Sequence, residues 1–382
     1  EIGVTECDHT EQIDAVYPLT MNQQSIYFAA LMDSNTLANS FGVYVDIPTL
    51  MDRDIMARAF TEIYSEQSIM RIKLVESKKA YLDSTYQVFY QNRNPNIEFL
   101  DWSNETLSES QITQRVNELV FRTYEIHGEL LFCHIVKVTE ERFLVVLASH
   151  HVIFDGIGLA GLVYGLRDRY LHIVEGTDIA EWPDRYKDYI LHELNYADVA
   201  ETQAFWRDRL PSSLEAIVIP QPSRKNIDGE LEGRHTVKKS ILLSPEHWAS
   251  VRKYSRKNKI TPALYFKVLY GVLLQRYSQC EETFYIDEMT GSRQKGYETV
   301  AGAFAQALPF VFDKSCFEDA EGQPATMPQL IANVRAFQKS LKGKTLWSEQ
   351  KQADLLPRAN QAFLYNFIPF VVALGNRERY TI

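Results

Sequence analysis

Two adjacent histidines, His150 and His151, form the clearest chemical pattern in the sequence. They end an apolar run that begins at Phe143, and Asp155 and Gly156 follow shortly after them. Histidine is the side chain whose ordinary pKa lies nearest neutrality, so it exchanges a proton readily at physiological pH. The pattern therefore predicts a general base, or a hydrogen-bonding group that acts on a nucleophile, with His151 as the first candidate.

A metal site is the weaker alternative. Adjacent residues on a strand point to opposite faces, so we do not expect His150 and His151 to bind the same ion. The cysteines are scattered and form neither a CxxC pair nor a disulfide framework; they are Cys7, Cys133, Cys280 and Cys316. We therefore expect no metal and no disulfides, and a reducing, cytoplasmic location fits this cysteine usage.

The sequence offers a base without an obvious nucleophile. It contains no Gly-x-Ser-x-Gly elbow, no Walker loop and no convincing GxGxxG stretch. A covalent enzyme intermediate and a bound nucleotide cofactor are therefore both disfavoured. A base in this setting favours direct transfer between two bound substrates.

Asp155 has two possible roles next to the histidines. It could orient His151, as the acid does in a catalytic triad. Alternatively it could anchor the loop internally, in which case a buried carboxylate needs a cationic partner. We favour the anchor, and Arg71, at the end of a predicted helix, is the candidate partner.

The elements around the histidines predict a strand–loop–helix unit in a mixed α/β fold. Two strands at 130–138 and 142–148 are separated by a charged turn, which is typical of a hairpin, and an amphipathic pattern over 158–170 predicts a helix. Further helices are predicted at 23–32, 52–64, 108–124 and 184–209. From residue 235 a second lobe is predicted, with a strand at 238–243 and helices at 246–258 and 262–277.

Length and charge limit the possible functions. At 382 residues the chain exceeds the size at which a single core usually stops growing, so two lobes are expected. The net charge of −10 disfavours nucleic-acid binding. No stretch is apolar enough to span a membrane and no signal peptide is recognisable. The sequence begins without Met and reads as a piece of something longer.

Several stretches resemble the condensation domains of nonribosomal peptide synthetases, whose signature is HHxxxDG. His150, His151, Asp155 and Gly156 match this signature. An early family motif is matched by Tyr17, Pro18, Leu19, Thr20, Gln23, Ile26, Tyr27 and Phe28. A later motif is matched by Gly291, Arg293, Gly302, Phe304, Leu308 and Pro309, and a tryptophan-containing element lies at 204–210. The matches follow the family's order over most of the chain.

The resemblance implies two lobes like chloramphenicol acetyltransferase, arranged in a V. We place them at 1–178, which carries HHxxxDG, and at 179–382, where the family implies further residues at the C-terminal end. The implied reaction joins a donor acyl or peptidyl thioester to the amine of an acceptor. Both substrates would be presented on the 4′-phosphopantetheine of an upstream and a downstream carrier domain. The resemblance implies no cofactor bound by the domain itself, and an adjoining adenylation domain.

The resemblance also implies roles for single residues. His151 is the catalytic residue, as base or as positioner of the amine, His150 supports it, and Asp155 pairs with Arg71 to hold the loop. Three residues are candidates for substrate binding. Gly158, where Ser is common, and Gln306, where Asn is usual, depart from the family pattern, and Tyr17 matches its early motif. Gly158 resembles domains that take an aryl or acyl starter in siderophore assembly. Gln67 and Ser68 replace the family's His-Glu.

Three alternatives remain. An epimerisation domain shares the paired histidines and the fold, although the motif at Tyr17 favours condensation. A free-standing acyltransferase of the same superfamily would act on an alcohol. A non-catalytic recruitment module of this fold is disfavoured because His151, Asp155 and Gly156 are all present.

Overall fold

A computed structural model describes residues 12–33, 37–77, 85–196, 200–210, 217, 239–278, 283–347, 352, 356 and 363–368. The described residues group into two compact units. The first contains those up to Asp198 together with Gly291–Gln306, and the second contains those of Val199–Thr290 and Ala307–Pro369. The first unit thus extends past residue 178, and the lobe boundary proposed there stays a prediction.

The first unit is built from two sheets and five helices in its described part. In chain order the elements are β1 (Ile13–Pro18), α1 (Met21–Met32), β2 (Ser40–Ile47), α2 (Arg53–Glu66), β3 (Ile72–Glu76), β4 (Thr85–Tyr90), β5 (Ile97–Asp101), α3 (Glu109–Val120), β6 (Leu131–Thr139), β7 (Arg142–His150), α4 (Gly156–Glu175) and α5 (Tyr186–Tyr196). One sheet has the strand order β1-β4-β3 and the other β2-β7-β6-β5.

The four-stranded sheet carries the histidine motif at the end of β7. The predicted hairpin of β6 and β7 is confirmed, and β2 pairs antiparallel with β7 on its other side. Residues of β7 alternate between two cores. Val145 and Leu147 face the core formed with α2 and α4, whereas Leu144 and Val146 face a second core formed with α3. Because both faces are covered, β7 reads as one continuous apolar run.

Side-chain caps begin four helices of this unit, α1 to α4. Thr20 and Gln23 form a capping box at α1, and Ser108 and Gln111 form another at α3. Such boxes satisfy backbone N–H groups that the first helical turn leaves without partners. The helix that follows the histidines, α4, is capped by Asp155. Asp155, a residue of the histidine motif, therefore also begins this helix.

The second unit packs helices on a three-stranded sheet. Its elements are α6 (Ala200–Arg209), α7 (Pro245–Lys257), α8 (Pro262–Ser278), β8 (Phe284–Thr290), β9 (Gln306–Phe312), α9 (Met327–Ser340) and β10 (Leu364–Tyr365). The strand order is β10-β8-β9, and the core includes Phe284, Phe310 and Phe312. The mixed α/β character predicted from the sequence is confirmed in both units.

Two predicted elements were wrong in detail. The helix predicted over 184–209 is divided into α5 and α6, with residues 197–199 outside the described part. The strand predicted at 238–243 is not formed over its described residues, and Ile241 and Leu242 are 91% and 95% exposed there. An apolar stretch becomes a strand only when a partner strand supplies its hydrogen bonds. Separately, no helix in the described ranges is long and apolar enough to cross a membrane.

Candidate active site

His150 is a buried, neutral residue at the last position of β7. It pairs in register with Ser40 of β2, and its Nδ1 accepts a hydrogen bond of 3.2 Å from the Val152 backbone N–H. Because Nδ1 accepts, the ring proton of the neutral form resides on Nε2. Burial, with a smaller contribution from the neighbouring His151, lowers the pKa of His150 to about 4. His150 therefore shapes the turn as an uncharged acceptor.

His151, in contrast to the buried His150, is partly exposed and lies at the start of the turn. Its backbone N–H donates to the Asn39 carbonyl at 2.8 Å, and its ring Nδ1 lies 3.2 Å from the Phe154 carbonyl oxygen. A carbonyl only accepts, so Nδ1 carries the proton and Nε2 carries the lone pair. Among the described residues nothing hydrogen-bonds to Nε2, so its lone pair can still accept a hydrogen bond.

The electrostatic surroundings keep the His151 ring neutral. Burial lowers its pKa below the ordinary histidine value, while the Phe154 carbonyl and the Asp155 carboxylate act in the opposite direction. The ring of Phe41 stacks on it, with ring centroids 3.8 Å apart and planes 3° apart. The site thus presents a neutral imidazole with its basic nitrogen unoccupied.

A glutamine network ties this turn to the start of the chain. The Gln23 side-chain amide donates to the Val152 carbonyl at 3.1 Å and to the Gln87 side chain at 3.2 Å. Its Oε1 accepts from the Thr20 backbone N–H, and Gln87 in turn donates to the Pro18 carbonyl. Gln23 is fully buried. The early motif therefore holds the backbone of the histidine turn through one side chain.

Asp155 is held by a buried ion pair with Arg293. The two guanidinium nitrogens Nη1 and Nη2 lie 2.6 and 2.7 Å from its two carboxylate oxygens, and both side chains are at most 5% exposed. The carboxylate also accepts the backbone N–H groups of Gly158 at 2.8 Å and of Phe304 and Ala305 at 3.1 Å. This bidentate geometry and the added hydrogen bonds satisfy a charge that would otherwise be costly to bury.

A family model described as "Condensation domain" matches residues 13–343. The chain belongs to the condensation-domain family. Relatives include bacitracin synthase 3 of Bacillus licheniformis, which is 22% identical over 303 residues covering 78% of this chain and 5% of the relative. A linear gramicidin synthase of Brevibacillus parabrevis is 26% identical over 336 residues, 84% of this chain and 6% of the relative. The chain thus spans about a twentieth of these relatives.

Solved structures of condensation domains share the fold. The first condensation domain of the calcium-dependent antibiotic synthetase, in complex with a substrate analogue, aligns with a TM-score of 0.73 at 14% identity. That alignment covers 92% of this chain and 81% of the other. The starter condensation domain of rhizomide synthetase gives a TM-score of 0.68 at 14% identity, over 92% of this chain and 78% of the other. The family and the α/β fold class predicted from the motifs are confirmed.

Arg71 is not the partner of Asp155 in this condensation domain, and that prediction was wrong. Its guanidinium donates to the carbonyl oxygens of Tyr64, Ser65 and Tyr90 at 2.6, 2.5 and 3.0 Å. It is therefore committed to tying the end of α2 to β4. The nearby replacements Gln67 and Ser68 bond to Trp182 and Asp184, which fastens the same corner to the segment before α5.

The alternative role of Asp155 as the acid of a triad does not fit the geometry. The His151 Nδ1 is bonded to the Phe154 carbonyl, and the Asp155 oxygens are taken by Arg293 and backbone N–H groups. The anchor interpretation of Asp155 agrees with these contacts. The later family motif identified Gly291 and Arg293 in the sequence, but it did not predict that Arg293 pairs with Asp155.

The two glycines at the start of α4 have different surroundings. A Cβ on Gly158 would lie 2.9 Å from the Phe154 ring and 3.0 Å from the Gly302 carbonyl, so the crossing backbone leaves room for hydrogen only. Gly156 is exposed, and a Cβ there would meet no atom within 4 Å. Packing accounts for Gly158, whereas Gly156 borders open space near the turn. The substrate contact assigned to Gly158 stays a prediction.

The other two predicted substrate residues lie in regular structure. Tyr17 is in β1, and its ring meets the Phe89 ring edge-on with centroids 5.8 Å apart. Gln306 is buried and is the first residue of β9. Their substrate contacts also stay predictions. Phe41, in contrast, was missed, because its place against His151 depends on strand pairing across more than a hundred residues.

We predict that loss of the Asp155 charge destabilises the fold. Asp155→Asn leaves Arg293 as an uncompensated buried cation, which costs about 3–5 kcal/mol in the free energy of unfolding. Urea denaturation followed by circular dichroism measures the change. Asp168→Asn, at an exposed pair with Arg167, is the matched control and should change stability by less than about 1 kcal/mol. Equal stability of the two variants would contradict the anchor role.

We predict opposite outcomes for alanine at the two glycines. Gly158→Ala forces the Gly302 backbone or the Phe154 ring to move and should cost about 1–3 kcal/mol of stability. Gly156→Ala meets no atom and should leave the melting temperature unchanged. Thermal denaturation of both variants tests this contrast. An unchanged melting temperature for Gly158→Ala would contradict this prediction and show that the Gly302 backbone can shift at little cost in free energy.

We predict that stability falls as pH decreases from about 6.5 to about 4. His150 is neutral in the folded protein down to about pH 4, whereas the unfolded chain binds a proton near 6.5. Protonation therefore favours the unfolded state across this window, by about 3 kcal/mol at its lower end. His150→Gln should flatten this pH dependence, and His247→Gln, at an exposed position, should not. Parallel slopes for wild type and His150→Gln would refute the assignment.

Proposed function

We propose that this condensation domain forms an amide bond between a donor acyl or peptidyl thioester and the amine of an acceptor aminoacyl thioester. Each substrate is carried on the 4′-phosphopantetheine of a carrier domain, one upstream and one downstream. The observation that supports this best is the state of His151, a neutral imidazole whose Nε2 is unoccupied. The similarity to bacitracin and gramicidin synthases supports the substrate class.

The reaction needs only alignment and the movement of one proton. The amine nitrogen attacks the thioester carbonyl carbon, the new C–N bond forms, and the C–S bond breaks. The proton lost by the amine passes through His151 Nε2 to the departing sulfur. Before attack the same nitrogen accepts a hydrogen bond from the amine and orients its lone pair. Because the thioester is already activated, holding the two substrates together supplies much of the rate.

The start of α4 supplies donors for the developing oxyanion. The Gly158 N–H is taken by Asp155, but Gly156 and Ile157 precede it in the first turn, where N–H groups lack intrahelical partners. Arg293 neutralises the Asp155 carboxylate, so the cap does not repel a negative charge nearby. In this scheme the exposed Gly156 also leaves space for the donor thioester.

The domain would act within a larger synthetase. The relatives are many times longer than this chain, and a four-domain nonribosomal peptide synthetase contains a domain of this fold, with a TM-score of 0.72 at 15% identity, over 93% of this chain and 26% of the other. Carrier domains and an adjoining adenylation domain are therefore the proposed partners. The domain itself needs no bound cofactor in this scheme, since the pantetheine belongs to the substrates.

We predict that His151→Gln lowers the rate of amide formation by about 100-fold or more, because the variant lacks the basic nitrogen. Two separately loaded carrier proteins are mixed with the domain, and the acceptor-bound product is followed by intact-protein mass spectrometry. His172→Gln, on the exposed end of α4, is the control. Full activity of His151→Gln would contradict the proposal.

The same assay separates the alternatives. D-isomer formation on a single carrier would indicate an epimerisation domain, and acyl transfer to an alcohol would indicate a free-standing acyltransferase. Carrier binding without turnover in the wild type would indicate a recruitment module. For an amide-forming domain we expect the part of the kcat/KM profile that reports His151 to lie below the ordinary histidine range, since burial lowers its pKa. Protonation of the acceptor α-amine as the pH falls below about 8 gives a separate decrease, at higher pH than that of His151.

A further inference from the structure

Phe41 makes a face-to-face contact with the candidate catalytic histidine. The two rings are nearly parallel at 3°, with 3.8 Å between centroids. Because the two rings are parallel and in close contact, the imidazole plane has little room to tilt. Aromatic pairs in proteins are more often offset or edge-to-face. Phe41 is half-buried, and its side chain is packed against the core of the first unit. The stacking ring is therefore itself fixed.

The strand that carries Phe41 leaves no room for a side chain at the residue after it. A Cβ on the next residue, Gly42, would lie 2.3 Å from the Leu147 carbonyl oxygen and 3.0 Å from the Val120 side chain. Glycine is therefore required where β2 approaches both β7 and the end of α3. In this register Phe41 pairs with Ser149, two residues before His151. Residues two apart on a strand share a face, so this register places the phenyl ring on the same side as the imidazole.

Two constraints then act on the imidazole from different directions. The bond between Nδ1 and the Phe154 carbonyl fixes rotation within the ring plane. The Phe41 stack fixes the plane itself, and the Asn39 carbonyl holds the backbone N–H of His151. Asn39 immediately precedes β2 and Phe41 is the second residue of that strand, so one short segment contacts both the backbone and the ring of His151. Together these contacts define the direction in which Nε2 points.

We propose that Phe41 is a positioning residue for His151, which keeps the imidazole in the Nδ1–H tautomer and aims Nε2 at the acceptor amine. This inference rests on the proposed function for its rate effect, but the tautomer effect is independent of any substrate. Removing the ring allows the imidazole to rotate, to weaken its bond to the Phe154 carbonyl and to populate the other tautomer.

The test compares Phe41→Leu with Phe41→Tyr. Leucine keeps an apolar side chain but cannot stack, and we expect kcat for amide formation to fall about tenfold, the rate equivalent of one aromatic pair. We expect KM to change little, and Phe41→Tyr to retain wild-type kcat. Phe99→Leu, on β5 at the opposite edge of the same sheet, is the matched control. Wild-type kcat in a folded Phe41→Leu protein would overturn the inference.

Nitrogen-15 NMR of histidine-labelled protein provides the second readout. The wild-type His151 signal should show a protonated Nδ1 and an unprotonated Nε2, and Phe41→Leu should shift both nitrogens towards averaged values. Phe41→Tyr and Phe99→Leu should keep the wild-type pattern. Unchanged nitrogen signals in Phe41→Leu would refute positioning even if its rate fell through lost stability. If the wild-type domain forms no amide, the proposed function fails, whereas the NMR comparison still tests the role of Phe41.

Discussion

The buried pair of Asp155 and Arg293 is the contact on which the site depends. Asp155 caps α4, pairs with Arg293 and receives two backbone N–H groups from the segment that ends at Gln306. One carboxylate thus sets the position of a helix, a turn and a returning segment. A charge removed from water is favourable only when its partners are complete, so these elements either assemble together or leave a charge unpaired.

Around this anchor the two histidines have separate environments. His150 is buried, accepts from the Val152 backbone and serves as an uncharged spacer between the strand and the turn. His151 Nδ1 lies against the Phe154 carbonyl, so its lone pair is on Nε2. The difference arises from strand geometry, since neighbouring residues at the end of β7 point to opposite sides. Burial favours the neutral form of both rings, but the His150 lone pair accepts from the Val152 N–H, whereas the His151 lone pair has no hydrogen-bond partner among the described residues.

Local patterns in the sequence predicted most of what is local in the structure. The hairpin of β6 and β7, the turn with both histidines and the start of α4 follow from periodicity and capping within a few dozen residues. Contacts between residues far apart in the sequence could not be predicted from such local patterns. To predict that Arg293 and not Arg71 pairs with Asp155, one must know that a segment 138 residues further along packs against Asp155. To predict the contact of Phe41 with His151, one must know how β2 is paired with β7. The strand expected at 238–243 failed for a related reason, since propensity does not supply a partner.

The return of Gly291–Gln306 to the first unit has a consequence for the order of events during synthesis. When a ribosome has released residues up to Asp198, the strands, α4 and both histidines are present, but Arg293 is not. Arg293 lies 138 residues after Asp155, so their ion pair can form only once that stretch has been synthesised. Its formation also carries the entropic cost of closing a long loop. The turn that carries the two histidines therefore completes its contacts late, after most of the second unit has left the ribosome.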